Sequence, residues 1–287
     1  MKKSLSVFLL LLCLVSATAR ERRLFDSDWL FVLGNDAKMA SPDYDDTSWR
    51  RLNLPHDWAI EGDFSDANPS GAGGGALPGG IGWYRKHFNV ENSHPDMRYF
   101  LEFDGVYMNS TVYVNGHEVG HRPYGYSSFE YDVTPYINKG GENVDNSDQP
   151  NSRWYSGCGI YRHTWFTTTH RMHIAHWGTH VVTTPKGELN VAIQMADEAI
   201  KGEKPAYRNT VMDAAGKVVA SMMTGSPQQL LKVKRPQLWS VERPYVYTVK
   251  SEVILNNQVV DEVLTITGFR DFKFDSKTGF WLNGKNL

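Results

Sequence analysis

The stretch that decides the fold lies at residues 99–120 and reads YFLEFDGVYMNSTVYVNGHEVG. Apolar and polar side chains alternate through Tyr99–Val106 and again through Ser110–Val114, which is the period of half-buried β-strands. The pair Asn115-Gly116 follows the second run at once and favours the tight turn of a hairpin. The sequence from His117 to Gly120 then returns as the partner strand. This stretch predicts antiparallel β-structure.

The same alternating pattern continues on both sides of this hairpin. Short alternating runs bounded by Gly, Pro, Asn and Asp recur, and long runs of helical periodicity are missing. After Arg171 the strands carry fewer aromatic residues, with turns at Ala215–Lys217 and Asn256–Gln258. An all-β chain with two cores is predicted, since all-β domains usually run from about 100 to 200 residues. The boundary is expected near residue 170.

The first 19 residues have the pattern of a cleavable export signal. Lys2 and Lys3 precede an apolar run from Leu5 to Val15, and Ala17-Thr18-Ala19 comes before Arg20. The run is shorter than the about 20 residues that span a bilayer, so no membrane attachment is expected after cleavage. We expect a periplasmic or secreted protein, with Cys158 as its only thiol and no intrachain disulfide.

Charge argues against a nucleic-acid partner. The chain holds 30 basic and 32 acidic side chains, and removing the predicted signal takes away only Lys2 and Lys3 among them. Such a balance leaves no basic surface of the kind that binds phosphate backbones.

The segment from Ala67 to Gly82 is predicted to be a long loop because it is dominated by Gly and Pro. Loops of this length inside a compact domain are often functional, and simple disorder is the alternative. Gly71–Ala76 fits a loose dinucleotide fingerprint, but Leu77-Pro78 follows where that motif needs a helix. A dinucleotide site is therefore rejected, and no cofactor is expected.

His117-Glu118-Val119-Gly120-His121 satisfies the zinc-protease pattern H-E-x-x-H, which requires a helix. The Asn-Gly turn before it and Pro123 after it favour a hairpin strand instead. A zinc peptidase stays open only as a minor alternative, to be ended by metal analysis that finds no bound zinc.

Two further clusters invite a metal interpretation. The acidic run Asp43–Asp46 lacks the glycine and glutamate of a calcium loop, because Ser48 and Leu54 occupy those positions. On a continuous strand, His170, His176 and His180 would share one face with His173 on the other, which favours polar strand positions over a metal site. No metal ligand is predicted. The five crowded histidines are His163, His170, His173, His176 and His180.

Aromatic residues are abundant in or beside the first domain. Sugar rings have apolar faces that pack on aromatic planes and polar edges that need hydrogen-bond partners. Most aromatic residues of a β-sandwich fill its core, so only a minority are expected to contact a sugar. The residues in question are Trp83, Tyr84, Tyr107, Tyr113, Tyr124, Tyr126, Trp154, Tyr155 and Trp177.

Taken together, ordered segments over nearly the whole chain resemble the family 2 glycoside hydrolases, particularly bacterial β-galactosidases. The segments are Leu52–Trp58, Gly79–Lys86, Asp104–Tyr107, Tyr124–Tyr126, Tyr131–Tyr136, Asp145–Tyr155, Gly159–Arg162, Leu238–Tyr247, Gly268–Arg270 and Gly279–Lys285.

This resemblance implies a jelly-roll sugar-binding domain at residues 20–170 and an immunoglobulin-like β-sandwich at 171–268. Residues 269–287 would begin a (β/α)8 barrel, truncated at Leu287. In the family the barrel carries an acid/base glutamate and a nucleophilic glutamate for retaining hydrolysis. Because the barrel is only beginning, no catalytic residue is assigned, and the chain alone is expected to be inactive.

The resemblance also implies that loops of the jelly roll wall the sugar subsite. Asp148, Asn151, Arg153 and Trp154 are the predicted substrate-proximal residues, since they offer hydrogen bonding and a stacking plane. The alternative is that Arg153 and Trp154 only hold the loop to the core. Gly141–Asp145 runs straight on where relatives have an apolar strand, which predicts a deleted core strand and poorer folding.

Two functions are carried forward. One is the non-catalytic N-terminal part of an exported β-galactosidase-like enzyme, with a β-galactoside or related glycoside as ligand and the catalytic barrel or a second copy of the chain as protein partner. The other is a free-standing carbohydrate-binding module without hydrolase activity.

Overall fold

The computed structural model describes residues 20–68, 70, 71, 73, 75–90, 95–137, 142–144, 158–196 and 202–287, with the backbone alone at 142–144. These residues form twenty β-strands joined by turns and short 3₁₀ segments. Within the described residues, no helix is long and apolar enough to span a bilayer. The prediction of an all-β chain is confirmed.

Ten strands form the first sandwich. One sheet has the order β1-β10-β5-β8, and two three-stranded groups have the orders β3-β2-β4 and β7-β6-β9, with β4 beside β9. The strands are β1 (Glu21–Leu24), β2 (Trp29–Leu33), β3 (Arg50–Leu52), β4 (Gly82–Arg85), β5 (Met97–Phe103), β6 (Ser110–Val114), β7 (His117–Arg122), β8 (Phe129–Asp132), β9 (Glu142–Val144) and β10 (Thr164–His170).

Both layers contribute to one apolar core. Trp29 of β2, Leu101 of β5 and Val112 of β6 are fully buried in it, together with Phe166 of β10. These side chains alternate with outward-facing ones, because successive residues of a strand point to opposite faces. The alternation seen in the sequence therefore sets which side of each strand enters the core.

The predicted hairpin at Asn115-Gly116 is confirmed. Strands β6 and β7 pair antiparallel across it, and both turn residues have positive φ, 53° and 81°. A type I′ turn needs positive φ at both central positions, which Asn and Gly tolerate best. His117–His121 consequently lies on a strand, and the helix that a zinc-peptidase motif requires is not formed.

The second sandwich packs a three-stranded sheet, β11-β12-β15, against a four-stranded sheet, β14-β13-β16-β17. Leu189, Val211 and Val249 lie in its core. This three-plus-four arrangement is immunoglobulin-like. Its strands are β11 (Ile174–Thr183), β12 (Glu188–Met195), β13 (Ala206–Met212), β14 (Val218–Thr224), β15 (Gln228–Lys232), β16 (Tyr247–Leu255) and β17 (Gln258–Thr267). A separate antiparallel sheet follows, formed by β18 (Phe272–Asp275), β19 (Gly279–Leu282) and β20 (Lys285–Asn286).

The expectation of one continuous histidine-bearing strand is wrong. β10 ends at His170, His173 lies before β11 begins at Ile174, and the pairing of β11 with β12 shifts register between Ile174 and Thr179. Trp177 sits in that irregularity with φ 53°. A β-bulge breaks strict alternation of faces. The histidines therefore have different environments.

The acidic run at residues 43–46 forms a turn rather than a calcium loop. The Asp45 carboxylate accepts hydrogen bonds from the backbone N–H and the hydroxyl of Thr47. Asp46 pairs with the buried guanidinium of Arg85, 3.2 Å away, which also donates to the carbonyl oxygens of Met39, Ser41 and Tyr44. The turn is thus held by one buried cation.

Two expectations about loops have different outcomes. β9 is only three residues long and pairs with β6, and the expected strand deletion next to it stays a prediction. The glycine-rich loop is organised where it is described: Ser65 N–H donates to the Ala76 carbonyl, and Ser70 Oγ to that of Leu77.

Candidate functional site

The segment His56–Glu61 is joined to the strand-like segment at Cys158–Ile160. His56 N–H donates to the Ile160 carbonyl at 2.8 Å, and Trp58 N–H donates to the Cys158 carbonyl at 3.0 Å. In return, Cys158 N–H donates to the Asp57 carboxylate at 2.8 Å. The same Asp57 oxygen accepts from Ala59 N–H at 3.0 Å, at the start of the short 3₁₀ turn. This double connection fixes one wall of the site.

His56 lies at the centre of a polar cluster. Its Nδ1 is 2.6 Å from the Tyr84 hydroxyl oxygen, and its Nε2 is 2.9 Å from Arg50 and 3.3 Å from Glu61. A guanidinium can only donate, so Nε2 accepts from Arg50 and the ring proton is assigned to Nδ1. Nδ1–H then donates to the Tyr84 oxygen. Arg50 also donates to Glu61 at 2.7 Å, closing the cluster.

Burial and charge set the protonation of this cluster. Desolvation lowers the pKa of His56, opposed by the Glu61 carboxylate, so the imidazole stays neutral. The hydrogen bond from Arg50 lowers the pKa of Glu61, which stays ionised. Burial raises the pKa of the Tyr84 hydroxyl, which stays protonated and neutral. The cluster therefore presents a cation, an anion and two neutral groups.

A pocket of about 510 Å³ opens beside this cluster. Trp58, Arg50 and Glu61 line it with Phe31, and Pro78-Gly79 of the glycine-rich loop closes one side. Trp58 is buried, and its indole N–H has no hydrogen-bond partner within the described residues. Because that nitrogen is itself shielded from solvent, Trp58 contributes an apolar wall to the pocket.

Tyrosines form a second wall on the other side of Gly159. Tyr107 makes an isolated antiparallel bridge with Gly159, and its ring meets that of Tyr126 at a centroid distance of 5.3 Å. Tyr126 in turn packs edge-on against Tyr124, and Tyr161 Oη donates to the Gly125 carbonyl. Tyr124 and Tyr126 are more than half exposed. An exposed aromatic face of this kind can stack on a sugar ring.

The four predicted substrate-proximal residues lie outside the described part of the chain. Asp148, Asn151, Arg153 and Trp154 fall between Val144, the end of β9, and Cys158, which Asp57 anchors. The prediction about them stays a prediction. Sequence reasoning did not single out His56, Arg50 or Glu61, although His56 and Trp58 lie within the motif Leu52–Trp58. Glu61 and Arg50 carried no signal of their own.

A jelly roll followed by an immunoglobulin-like sandwich, with a polar pocket and a tyrosine face on the first, defines the class as a two-domain β-sandwich protein. Comparison with known proteins gives the family. The description "Glycosyl hydrolases family 2, sugar binding domain" matches residues 76–169, and "Glycosyl hydrolases family 2" matches residues 172–270. The chain belongs to glycoside hydrolase family 2.

Individual relatives agree with this assignment. The chain is 47% identical over 284 residues to a β-galactosidase of Bacteroides ovatus, covering 93% of this chain and 33% of that protein. It is 26% identical to a β-glucuronidase of Formosa agariphila, covering 95% of this chain and 32% of that protein. A solved family 2 structure from Bacteroides cellulosilyticus superposes with a TM-score of 0.85 at 34% identity, over 93% of this chain and 37% of that one. The chain thus spans about a third of the length of these relatives, in their N-terminal part.

Proposed function

We propose that this chain is the carbohydrate-recognition and scaffold part of an exported family 2 glycosidase of the β-galactosidase type. The first sandwich would bind the sugar, the second would hold it in place relative to a catalytic barrel, and the chain alone would bind without hydrolysing. The observation that carries this proposal is the pocket at Trp58, Arg50 and Glu61 within a sandwich that continues into the matched sugar-binding domain.

The chemistry of the pocket suits a neutral or weakly acidic sugar. Glu61 can accept from ring hydroxyls, Arg50 can donate to hydroxyl or carboxylate oxygens, and Trp58 supplies an apolar wall. A galactoside is the first choice because the relative at 47% identity is a β-galactosidase. A glucuronide is the second, because a guanidinium pairs well with a carboxylate.

The test is calorimetric titration of the full chain with methyl β-galactoside and methyl β-glucuronide. We expect measurable, weak binding of one of them by the wild type and at least tenfold weaker binding by Glu61→Gln. Glu188→Gln in the second sandwich is the matched control, since Glu188 pairs with Lys232 at the surface far from the pocket. The absence of measurable binding of either sugar would contradict the proposed role in carbohydrate recognition.

Catalysis is tested separately. We expect no release of nitrophenol from nitrophenyl β-galactoside by the purified chain, because the reacting carboxylates would lie in the barrel. Turnover that survives rigorous purification would contradict the non-catalytic assignment. The protein partner is tested by mixing the chain with a polypeptide that carries the barrel of a relative and by measuring the mass of the chain alone. A complex would identify the barrel as the partner, and a dimer would identify a second copy of the chain.

Export and the domain limits belong to the same proposal. Residues 1–19 would be removed, and the periplasm or the exterior would be the site of action. The sugar-binding sandwich would occupy 20–170, the immunoglobulin-like sandwich 171–268, and the start of the barrel 269–287. The two separate apolar cores, with Phe166 in the first and Met172 in the second, support a limit near residue 170.

A further inference from the structure

A groove of about 880 Å³ runs between the two sandwiches, away from the pocket at Trp58. Glu102 and Glu130 line it from the first sandwich, and His176 lines it from the second. One nitrogen or oxygen of each of these three side chains lies within 4.8 Å of the corresponding atoms of the other two. The groove therefore brings two carboxylates and an imidazole together from three different strands.

The two carboxylates are placed where they repel each other. Glu102 of β5 and Glu130 of β8 are directly opposite in the antiparallel pairing, and like charges in that position are destabilising. Arg22 donates to Glu102 at 2.8 Å and compensates one negative charge. Arg20, which also lines the groove, is engaged by Asp261. Within the described part of the chain, the ion-pair partner of Glu130 is His176, whose Nδ1 lies 3.3 Å away.

The distance between Glu130 and His176 is long for a charge-assisted hydrogen bond, which is usually about 2.7–2.9 Å. It matches the edge between two ligands of one metal ion: metal–ligand bonds of about 2.0–2.2 Å place tetrahedral ligands about 3.4 Å apart. A carboxylate oxygen of Glu102 lies within 4.8 Å of both of those atoms. The three side chains therefore lie within reach of one common ion.

Unsatisfied polar atoms in the same groove point to a missing occupant. Thr167 is only 3% exposed and lines the groove on β10, yet its hydroxyl has no hydrogen-bond partner within the described residues. In that same part of the chain, the Thr179 hydroxyl and His176 Nε2 are buried and equally unpartnered. Buried polar atoms are satisfied in the great majority of cases, if necessary by ordered water. A hydrated ion in the groove would supply such water molecules.

We propose that Glu102, Glu130 and His176 bind a divalent transition-metal ion that links the two sandwiches. One imidazole and two carboxylates suit Zn²⁺ or Mn²⁺ better than Ca²⁺ or Mg²⁺, which prefer oxygen ligands alone. The ion removes the repulsion between the two glutamates, and water in its remaining positions faces Thr167. Because β5 and β8 belong to the first sandwich and β11 to the second, the ion fixes their relative position. The proposal is independent of the sugar site.

The local backbone is consistent with a built site. The bulge at Trp177, whose φ is 53°, interrupts β11 directly after His176 and turns the tryptophan outward, 69% exposed. The Trp177 and His176 rings stack at a centroid distance of 4.8 Å. This stacking restrains the imidazole plane, as a metal ligand requires.

The test is metal binding by the full chain, first stripped with a chelator and then titrated with Zn²⁺ or Mn²⁺ alone. We expect one high-affinity ion per chain by calorimetry and elemental analysis, with a rise in the thermal midpoint. Glu130→Gln and His176→Gln should each weaken that binding at least tenfold. Glu262→Gln is the matched control, because Glu262 lines the same groove but pairs with Lys250; it should bind as the wild type does.

Zn²⁺ can also bind to other histidines at the surface, and the Glu130 and His176 variants distinguish such binding from binding in the groove. Binding that persists unchanged in Glu130→Gln and His176→Gln, or the absence of any tight ion, overturns the proposal and leaves an ordinary ion pair. Should the variants fail to fold, anomalous diffraction from metal-soaked wild-type crystals decides. A peak among the three side chains supports the site, and its absence there contradicts it.

Discussion

The carboxylate of Asp57 accepts a hydrogen bond from the backbone N–H of Cys158, 101 residues later in the chain, at 2.8 Å. The contact connects the His56–Glu61 segment to the strand-like segment that begins at Cys158. It therefore couples the pocket at Trp58 to the end of the segment that carries Asp148, Asn151, Arg153 and Trp154.

Asp57→Asn should destabilise the protein by about 1.5–3 kcal/mol, the usual contribution of a hydrogen bond to a charged group. The substitution removes the negative charge of the Asp57 carboxylate, which accepts hydrogen bonds from Ala59 N–H and Cys158 N–H. Urea unfolding measures the change. Asp28→Asn is the control, because its ion pair with Arg51 is largely exposed and contributes less than about 1 kcal/mol. Equal midpoints for the two variants would contradict the role of Asp57.

Gly159→Ala should destabilise by at least about 3 kcal/mol, since the strain of a positive φ adds to a steric clash. Gly159 has φ 119°, and a Cβ there would lie 2.2 Å from the Tyr84 hydroxyl oxygen and 2.8 Å from the His56 carbonyl oxygen. Gly216→Ala is the control: φ is 79°, nothing lies within 4 Å, and only about 1–2 kcal/mol is expected. Thermal unfolding of both variants gives the comparison, and similar losses would show that the site tolerates a side chain.

Stability should fall as the pH falls below about 6.5, and part of that loss should come from His56. Burial lowers the pKa of His56 in the folded protein below its ordinary value of 6.5. The unfolded chain then takes up a proton that the folded protein refuses, until the pH falls below the folded pKa and the loss levels off. Glu61, Arg50 and Asp57 are the charged groups near the imidazole, and the lowered pKa of His56 already contains their influence.

His56→Gln should therefore lose less stability than the wild type between pH 7.5 and pH 5.5, as measured by urea unfolding at each pH. Above pH 7.5 the imidazole is neutral in both states, and the two pH profiles should run parallel there. A variant profile as steep as that of the wild type below pH 6.5 would contradict the assignment.

Arg20→Ala should destabilise by about 3–5 kcal/mol, because it leaves a buried carboxylate without its counter-charge. Asp261 is fully buried, and Arg20 contacts both of its oxygens at 3.1 Å while Ile174 N–H donates to one. Arg51→Ala, which breaks the exposed pair with Asp28, should cost less than about 1 kcal/mol. Denaturant unfolding distinguishes the two variants. A decrease of less than about 1 kcal/mol in the free energy of unfolding of Arg20→Ala would show that the pair with Asp261 does not stabilise the protein.

The exported protein should begin at Arg20. Expression in a bacterial host followed by N-terminal sequencing of the periplasmic fraction measures this directly. Ala17→Phe should retain the precursor, because cleavage needs small residues at this position, whereas Thr18→Ser should not. An intact residue 1 in the periplasmic protein would contradict a cleavable signal.

The sequence by itself determined the β-structure. Alternation through Tyr99–Val106 and Ser110–Val114 and the Asn115-Gly116 turn depend on neighbouring residues, so they could be identified without the fold. The ordered motifs predicted the family and both sandwich types, which the structure and the comparisons confirm.

Only the tertiary structure decided which side chains meet. The contacts of Asp57 with Cys158 and of Arg20 with Asp261 join residues 101 and 241 positions apart. The bulge at Trp177 breaks the alternation on which the histidine pattern was interpreted, and it sets His176 beside Glu130. Local propensity is a property of adjacent residues, whereas these contacts depend on how two packed sheets and two sandwiches bring distant strands together.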